Sequence, residues 1–507
     1  MTERDATIPL KTSSYAFVFE NSKERAAAVY HSLTMELLYC RQPLNRLLTI
    51  FRTPSTVNEA IATYRGGNHG EGTETIQRFV SALKHARFLV EEGEDERSFE
   101  SAKREAQSLT PEISVMYLLL SDDCNMACRY CTVNYNVRGN PFKRMPASTI
   151  ERAVNLFKAA STPARKKRVN FFGGEPLLNS AGLARALDEL HKHFDRAELS
   201  LEMVTNGTLI DDDVADLILK HDIFPIISMD GPPLIHDQMR VRRNGQGSFE
   251  AVHRGFETLK KKGVSVGVST LVGKHNYKYL PEIVAYFSEH LGALDAGFSL
   301  PHVEPDVACV DMEELVPPMI EAWRVGRELG FYIVQMGSRL RPFIVQKPRL
   351  NACPGPMSGW GMFRVLPSGA VTVCENMGLR GQCVLGNVND SISPQSLQRH
   401  PDILNWTRRS QYLFDECNDC FAIGVCGAGC SYDAYLETGT IFAPERRNCY
   451  LCKEFLKWAI WDLHRELLLK RNKKTELPFT IVTRDDRQLA WGNNLAVLHE
   501  HPFLSPY

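Results

Sequence analysis

Long apolar runs are missing from this chain. None approaches the ~18 uninterrupted apolar residues of a membrane span, so no membrane segment is expected. The first residues, MTERDATIPLK, lack the basic-then-apolar order of a signal peptide. An excess of one charge is missing too: 59 Lys and Arg stand against 60 Asp and Glu, a formal net charge of −1. That balance provides no whole-chain basic field for nucleic acid. Local basic runs (Lys166-Lys167-Arg168, Lys260-Lys261-Lys262 and Lys470 to Lys474) fall at element ends or in a tail and read as solvated charge. These absences predict a cytoplasmic protein that partners neither membrane nor nucleic acid.

Cysteine, by contrast, is plentiful. Fourteen cysteines in a cytosolic chain of 507 residues argue for metal rather than disulfides. The rest is ordinary globular material, 44% hydrophobic and 23% charged. The length suits roughly two to four domains.

Three of the cysteines, Cys124, Cys128 and Cys131 in CNMACRYC, follow directly on the apolar run Ile113 to Leu120. A [4Fe–4S] cluster ordinarily takes four Cys ligands. A three-Cys site leaves one iron with an open position for a substrate or cofactor. The rival reading is a zinc loop, but structural zinc sites are closed with four ligands, and no His or further Cys stands near enough in sequence to complete one. Open iron sites are oxygen-sensitive, so an anaerobic or microaerobic cytoplasm is expected.

A first unit spans residues 1–105. Ser14 to Phe19 alternates like a strand, and helical patterns follow at Thr34–Cys40, Pro43–Phe51, Val57–Tyr64 and Glu74–Arg87. Phe88-Leu89-Val90 closes this winged-helix-like order, and the acidic segment to about Leu109 reads as a linker. A second unit, residues 106–345, alternates strand and helix. Strands read at Ile113–Leu120, Val169–Phe172, Leu199–Val204, Phe224–Ser228, Val264–Leu271 and Ala293–Leu300. Six βα units in series call for a parallel sheet with right-handed crossovers, and six rather than eight predicts an α/β fold with a partial (β/α)6 TIM-type barrel. A third unit, residues 346–460, holds most of the cysteines, is rich in Gly and Pro, and needs metal to fold well. Residues 461–507 begin within an amphipathic helix (Leu456 to Leu469) and then lose pattern.

In βα barrels the chemistry sits at the C-terminal ends of the strands, and four clusters share that rim. The cysteine loop follows the first strand, Gly173-Gly174-Glu175-Pro176 the second, Thr205-Asn206-Gly207 the third and Ser228-Met229-Asp230-Gly231 the fourth. Each alone reads as a turn; four on one rim are hard to attribute to turns. Glycines allow close backbone approach to a ligand, and Arg240 with a hydroxyl such as Ser228 suits a carboxylate. Glu175 reads equally as structural or functional, His236 and Asp237 as a helix-start pair, and Cys40 as a buried apolar thiol.

The cysteine spacing with Tyr130 before the third Cys, the GGEP turn and the segment ISMDGPPLIHDQMR together resemble the radical S-adenosylmethionine (SAM) superfamily, whose sulfatase-maturating and peptide-modifying members have an equivalent segment. The resemblance implies a [4Fe–4S] cluster on Cys124, Cys128 and Cys131 whose open iron chelates SAM. It implies Gly173 and Gly174 at the SAM amino group, Ser228 and Arg240 at its carboxylate, Thr205 and Asn206 along the nucleoside, and Tyr130 near the adenine. The implied reaction is reductive cleavage of SAM to methionine and a 5′-deoxyadenosyl radical, which takes a hydrogen atom from the substrate. A flavodoxin or ferredoxin would supply the electron.

Cys417, Cys420, Cys426 and Cys430 read C-x2-C-x5-C-x3-C, with Cys353, Gly369 and Cys374 upstream, Leu385-Gly386-Asn387 between, and Cys449 and Cys452 downstream. This resembles the SPASM extension, which holds two auxiliary iron–sulfur clusters. The resemblance implies a distal cluster on Cys417, Cys420, Cys426 and Cys449, with Cys449 preferred to Cys452 from the register of Lys453. It implies a proximal cluster on Cys353, Cys374 and Cys430. Sulfatase-maturating relatives carry another cysteine shortly after the position of Cys353, where this chain reads GPMSGWG. The fourth proximal ligand is then Cys383 or Cys309, or the site is open to a substrate thiolate. Glu375 stands where those relatives carry an aspartate proposed as the base, and is the candidate catalytic base here.

The first unit resembles the PqqD-like peptide-recognition domain, through Tyr30-His31-Ser32-Leu33-Thr34, Pro54-Ser55-Thr56-Val57 and Phe88-Leu89-Val90. Such domains bind a leader peptide by adding a strand to a sheet edge; the alternative is a unit that merely packs on the barrel. The resemblances imply an enzyme that modifies a ribosomally made peptide or a protein by a cross-link or oxidation at an unactivated C–H bond. The rivals are oxidation of Ser or Cys to formylglycine on a sulfatase, and a non-catalytic iron–sulfur electron-transfer module.

Overall fold

The computed structural model describes residues 8–67, 71–137, 141–163, 165–304, 306–353, 360–470 and 478–491. Most of the GPMSGWG stretch, and most of the basic run from Lys470 to Lys474, lie outside the described residues.

A ten-stranded sheet forms the centre. Strands β1 (Glu112–Ser121), β2 (Lys167–Gly173), β3 (Leu199–Thr205), β4 (Ile223–Ser228), β5 (Gly267–Leu271), β6 (Asp295–Ser299) and β7 (Tyr332–Ile333) lie side by side in that order, all parallel. Six helices follow the first six strands: Ala147–Ala160, Ser180–His193, Asp212–His221, Phe249–Lys261, Leu280–Ala285 and Met312–Leu329. The residues of β1 are buried almost throughout, as a parallel strand covered on both faces requires. In the first helix Ile150, Ala153, Val154 and Phe157 recur at helical spacing and are buried.

The parallel sheet of six strands is therefore present, with a short seventh strand and an extension that composition did not suggest. On the free side of β1, β8 (Trp360–Val365) pairs in parallel, and β9 (Ala370–Thr372) and β10 (Val384–Asn387) follow antiparallel. The cysteine-rich unit thus continues the sheet. Among the described residues β7 and β10 are its edges, and it does not close.

The front unit departs from the expected order in three places, the first being a strand at Ala26–His31 that the pattern did not mark. Leu37–Arg41 is a strand, not the end of a helix. It joins Ala26–His31 and Ala16–Asn21 in an antiparallel meander, backed by the helices Gln42–Ile50, Val57–Gly66 and Thr73–His85. The apolar run Leu37-Leu38-Tyr39-Cys40 hides a period of two. Leu38 and Cys40 enter the core of the front unit, while Leu37 and Tyr39 enter the main core. A strand buried on both faces reads like a short helix in sequence. The acidic segment is a helix, Glu94–Ser108, rather than a linker. Its three leading acidic residues complement the helix N-terminus, and Phe99 anchors it by stacking on Tyr15 at 5.7 Å.

The C-terminal helix runs from Arg446 to Lys470 and carries Cys449 and Cys452 in its first turns. Beyond it Phe479–Val482 pairs antiparallel with Leu37–Arg41 and adds a fourth strand to the sheet of the front unit. No helix among the described residues is long and apolar enough to cross a membrane.

Candidate active site

The loop leaving β1 carries Cys124, Cys128 and Cys131 and is pinned from two sides. Asp122 Oδ1 accepts the Lys143 N–H at 2.5 Å. The N–H groups of Ala127 and Arg129 donate to the carbonyls of Val241 and Met239 at 2.8 and 3.0 Å. The end of β2 lies so close that side chains are forbidden there. A Cβ on Gly173 would stand 2.1 Å from the Ser121 carbonyl oxygen, and one on Gly174 would stand 2.3 Å from that of Asp123. Gly173 also has φ +141. Burial pushes the Cys124 and Cys128 thiols up to about 12, and both also feel Cys131. Buried thiols that resist ionising alone lose their protons to solvent when they bind metal, and three in one loop fit a cluster with an open iron.

Glu175, fully buried, ties the next two rim turns together. Its carboxylate accepts from Thr205 Oγ1 at 2.8 Å, the Asn206 N–H at 2.8 Å and the Leu177 N–H at 3.1 Å. Asn206 Nδ2 in turn donates to Asn125 Oδ1 at 2.8 Å and approaches Cys124 Sγ at 3.6 Å. The structure thus brings Gly173, Gly174 and Asn206 against the cysteine loop, with Thr205 tied to them through Glu175.

Tyr130 and Arg240 meet at Asp230, to which sequence pattern alone gives no role. Asp230 is fully buried; its carboxylate accepts from Tyr130 OH at 2.6 Å and pairs with Arg240 Nε at 3.0 Å. His275 Nε2 lies 3.1 Å from the same carboxylate. Burial would raise Asp230, but Arg240 and His275 hold it well below the usual carboxylate range. The Arg240 guanidinium lies 5.4 Å over the Tyr130 ring and is the cation that opposes the raised Cys128 thiol. Ser228 is half-buried at the end of β4, in register with Ser269. A signal for His275 did exist: Gly273-Lys274-His275-Asn276 follows the fifth strand on the same rim. His236 and Asp237 are structural. His236 Nε2 meets Ser248 Oγ at 2.9 Å, and Asp237 Oδ1 caps the N–H groups of Ser248 and Phe249.

The C-terminal cysteines fall into two groups. Burial pushes Cys449 up to about 12, with Cys417, Cys452 and Cys420 adding to it, and Cys426 has Cys452, Cys449 and Cys420 around it. Cys452 is turned toward Asn448, 3.6 Å away, and toward Arg339 and Arg349. In the other group Cys374 and Cys430 are each raised by burial and each feel Cys353. Cys383 stands apart, in a left-handed conformation with its sulfur 3.9 Å from Met377 Sδ. Cys40 is buried in the core of the front unit, its thiol pushed up to about 12 by burial.

A cavity of about 640 Å³ joins the barrel strands to the second group. Arg168, Glu202 and Ser269 line it from the strands, and Cys353, Cys430 and Glu375 from the cysteine-rich unit. Glu375 is ion-paired there with Arg364.

Residues 118–287 match the radical SAM superfamily. The chain is 22% identical over 401 residues to the radical SAM cyclopropyl synthase TigE of Paramaledivibacter caminithermalis, covering 76% of this chain and 83% of that one. It is 22% identical over 364 residues to the serine-type anaerobic sulfatase-maturating enzyme of Bacteroides thetaiotaomicron, covering 66% of this chain and 86% of that one. Its fold is similar to that of native anSMEcpe with bound AdoMet and Cp18Cys peptide, with TM-score 0.58 and 20% identity, covering 70% of this chain and 99% of that one. The cysteine loop, the glycine turn packed against it and the matched residues agree: residues 118–287 carry a radical SAM domain, and the chain is an enzyme.

Proposed function

We propose that this enzyme modifies a ribosomally synthesised peptide or a protein, by a cross-link or an oxidation at an unactivated C–H bond. The observation that carries this reading is the cavity in which the barrel strands face Cys353, Cys430 and Glu375. A second thiol group on the wall of the substrate space suits a reaction that must dispose of electrons after hydrogen abstraction.

When bound, an iron–sulfur cluster and SAM supply hydrogen-abstracting radical chemistry. Cys124, Cys128 and Cys131 would hold that cluster. Gly173 and Gly174 would meet the SAM amino group, Arg240 and Ser228 would fix the SAM carboxylate, and Thr205, Asn206 and Tyr130 would line the nucleoside. The SPASM-like cysteines would hold two further clusters, Cys417, Cys420, Cys426 and Cys449 the distal one and Cys353, Cys374 and Cys430 the proximal one. Glu375, ion-paired with Arg364, would accept the substrate proton at its carboxylate. A cytoplasmic flavodoxin or ferredoxin would deliver the electron.

A peptide partner is supported by the solved relative that holds one and by the front unit. Its strand Ala16–Asn21 pairs on one side only among the described residues. A cleft of about 870 Å³ runs beside it, walled by Tyr450, Trp458 and Trp461. An extended leader segment could add there as a further strand. Formylglycine formation on a sulfatase is the second reading, favoured by the sulfatase-maturating relative and by a carboxylate at Glu375.

The test is anaerobic reconstitution with dithionite, SAM and the short peptide encoded nearest the gene. Peptide-dependent 5′-deoxyadenosine with loss of two mass units supports the proposal. Cleavage of SAM with that peptide unchanged, and conversion of a sulfatase peptide instead, gives the second reading. No cleavage of SAM under any of these conditions would leave the electron-transfer alternative.

A further inference from the structure

We infer that His302 is the fourth ligand of the cluster held by Cys353, Cys374 and Cys430. The inference rests on the reading that these cysteines hold an auxiliary cluster. Three thiols leave one position to fill, and the two spare cysteines of the region are turned elsewhere. Cys383 packs on Met377. Cys309 Sγ donates to the His302 carbonyl at 3.4 Å and lies 4.0 Å from Arg447. The stretch GPMSGWG after Cys353 contains no cysteine.

What stands beside Cys430 is a nitrogen and an oxygen donor. One ligand atom each from His302, Cys430 and Asp433 lie within 4.8 Å of one another, the spacing of groups that converge on one metal centre. His302 belongs to the loop that leaves β6, and lines the same cavity as Cys353 and Cys430.

The imidazole is held as a ligand needs to be. Its Nδ1 lies 2.9 Å from Asp433 Oδ2. A metal-bound histidine characteristically gives its second N–H to a carboxylate, which fixes the tautomer and the ring. Asp433 is fixed in turn by the Val303 N–H at 3.2 Å and by Arg447 at 3.1 Å. Those bonds commit Asp433 to orienting the ring and leave the ligand role to His302. Nε2 then keeps its lone pair, which accepts from Asn376 Nδ2 at 3.0 Å, an amide that metal would displace. Tyr432 packs edge-on against the ring with centroids 5.0 Å apart. Imidazole in place of thiolate raises the reduction potential of an iron–sulfur centre. The cluster nearest the substrate would therefore accept an electron more readily than an all-cysteine one.

The experiment uses the full chain carrying Cys124→Ala, Cys128→Ala and Cys131→Ala, reconstituted anaerobically with iron and sulfide, with and without 15N-histidine. Pulsed EPR of the reduced protein should show a ring nitrogen coupled to one cluster. The coupling should change with the isotope and vanish in His302→Ala. His302→Cys, which restores four ligands and keeps the site closed, should bind the same iron but lower the potential of that cluster. No iron in the triple variant would sink the auxiliary-cluster reading and this inference with it. Iron present without a histidine coupling, a coupling that survives His302→Ala, or an unchanged potential in His302→Cys would overturn this inference alone.

Discussion

Glu175 accepts the backbone N–H of Asn206 at 2.8 Å, so the turn after β2 is locked to the turn after β3. Burial pushes this carboxyl up to about 7 from its ordinary 4.5. A folded-state value above the unfolded one contributes stability that is full below about 4.5 and lost as pH rises through about 7. Each pH unit between those two values is worth about 1.4 kcal/mol, so the loss is at most on the order of 3–4 kcal/mol. Glu175→Gln removes that dependence. It also leaves one of the donors from Thr205, Asn206 and Leu177 facing an amide NH2, at a cost of about 1–3 kcal/mol. Thermal unfolding from pH 4.5 to 8 should therefore show the variant less stable but flatter with pH. Parallel pH profiles would mean that Glu175 keeps its charge throughout.

Arg240 is already paired with Asp230, so any carboxylate it grips must share the guanidinium. Arg240→Lys keeps the charge and loses the fork. SAM binding should weaken by about 1.5–3 kcal/mol, or roughly 10- to 100-fold, with the iron content unchanged. Equilibrium titration of the anaerobic protein measures it, and an unaltered affinity would remove Arg240 from the SAM site. Asp230→Asn breaks a buried pair from the other side and should cost about 3–5 kcal/mol of stability.

Much of this architecture was legible because it obeys simple periodicities. The run Ile113 to Leu120 announces a doubly covered parallel strand, and the rim clusters announce the ends of β1 to β4. Glycines 173 and 174 were readable as close-approach residues, although only the structure shows that they approach the cysteine loop itself. Other features depend on distant contacts that local pattern does not encode. Leu37–Arg41 serves two cores at once, so its alternation is masked by an unbroken apolar run. Phe479–Val482 finds its partner more than four hundred residues back in the chain. Asp230 is an ordinary turn residue in sequence, and it meets His275 only when β4 and β5 pair.

Glu375 lines the cavity beside Arg364, a position suited to receiving a substrate proton. Glu375→Gln should still yield 5′-deoxyadenosine while modified product falls by about 10²-fold or more, the usual scale for loss of a general base. Following both products in one reaction gives the answer. If the two fall in step, Glu375 serves to hold Arg364 and the wall of the cavity.

Cys449 and Cys452 sit one turn apart on the helix Arg446–Lys470 and face different neighbours. Cys449 is set among Cys417 and Cys420, whereas Cys452 turns to Asn448, Arg339 and Arg349. A thiolate ligand cannot be replaced by a hydroxyl without weakening iron binding, while a buried thiol that only packs and hydrogen-bonds tolerates serine at modest cost. Cys449→Ser should therefore lose about one cluster's iron and its charge-transfer absorbance, and Cys452→Ser should keep both. The two thiols are close, since each adds to the raised value of Cys426. The discriminating result is thus the pair of iron contents measured side by side. Loss from Cys452→Ser with retention in Cys449→Ser would reverse the assignment.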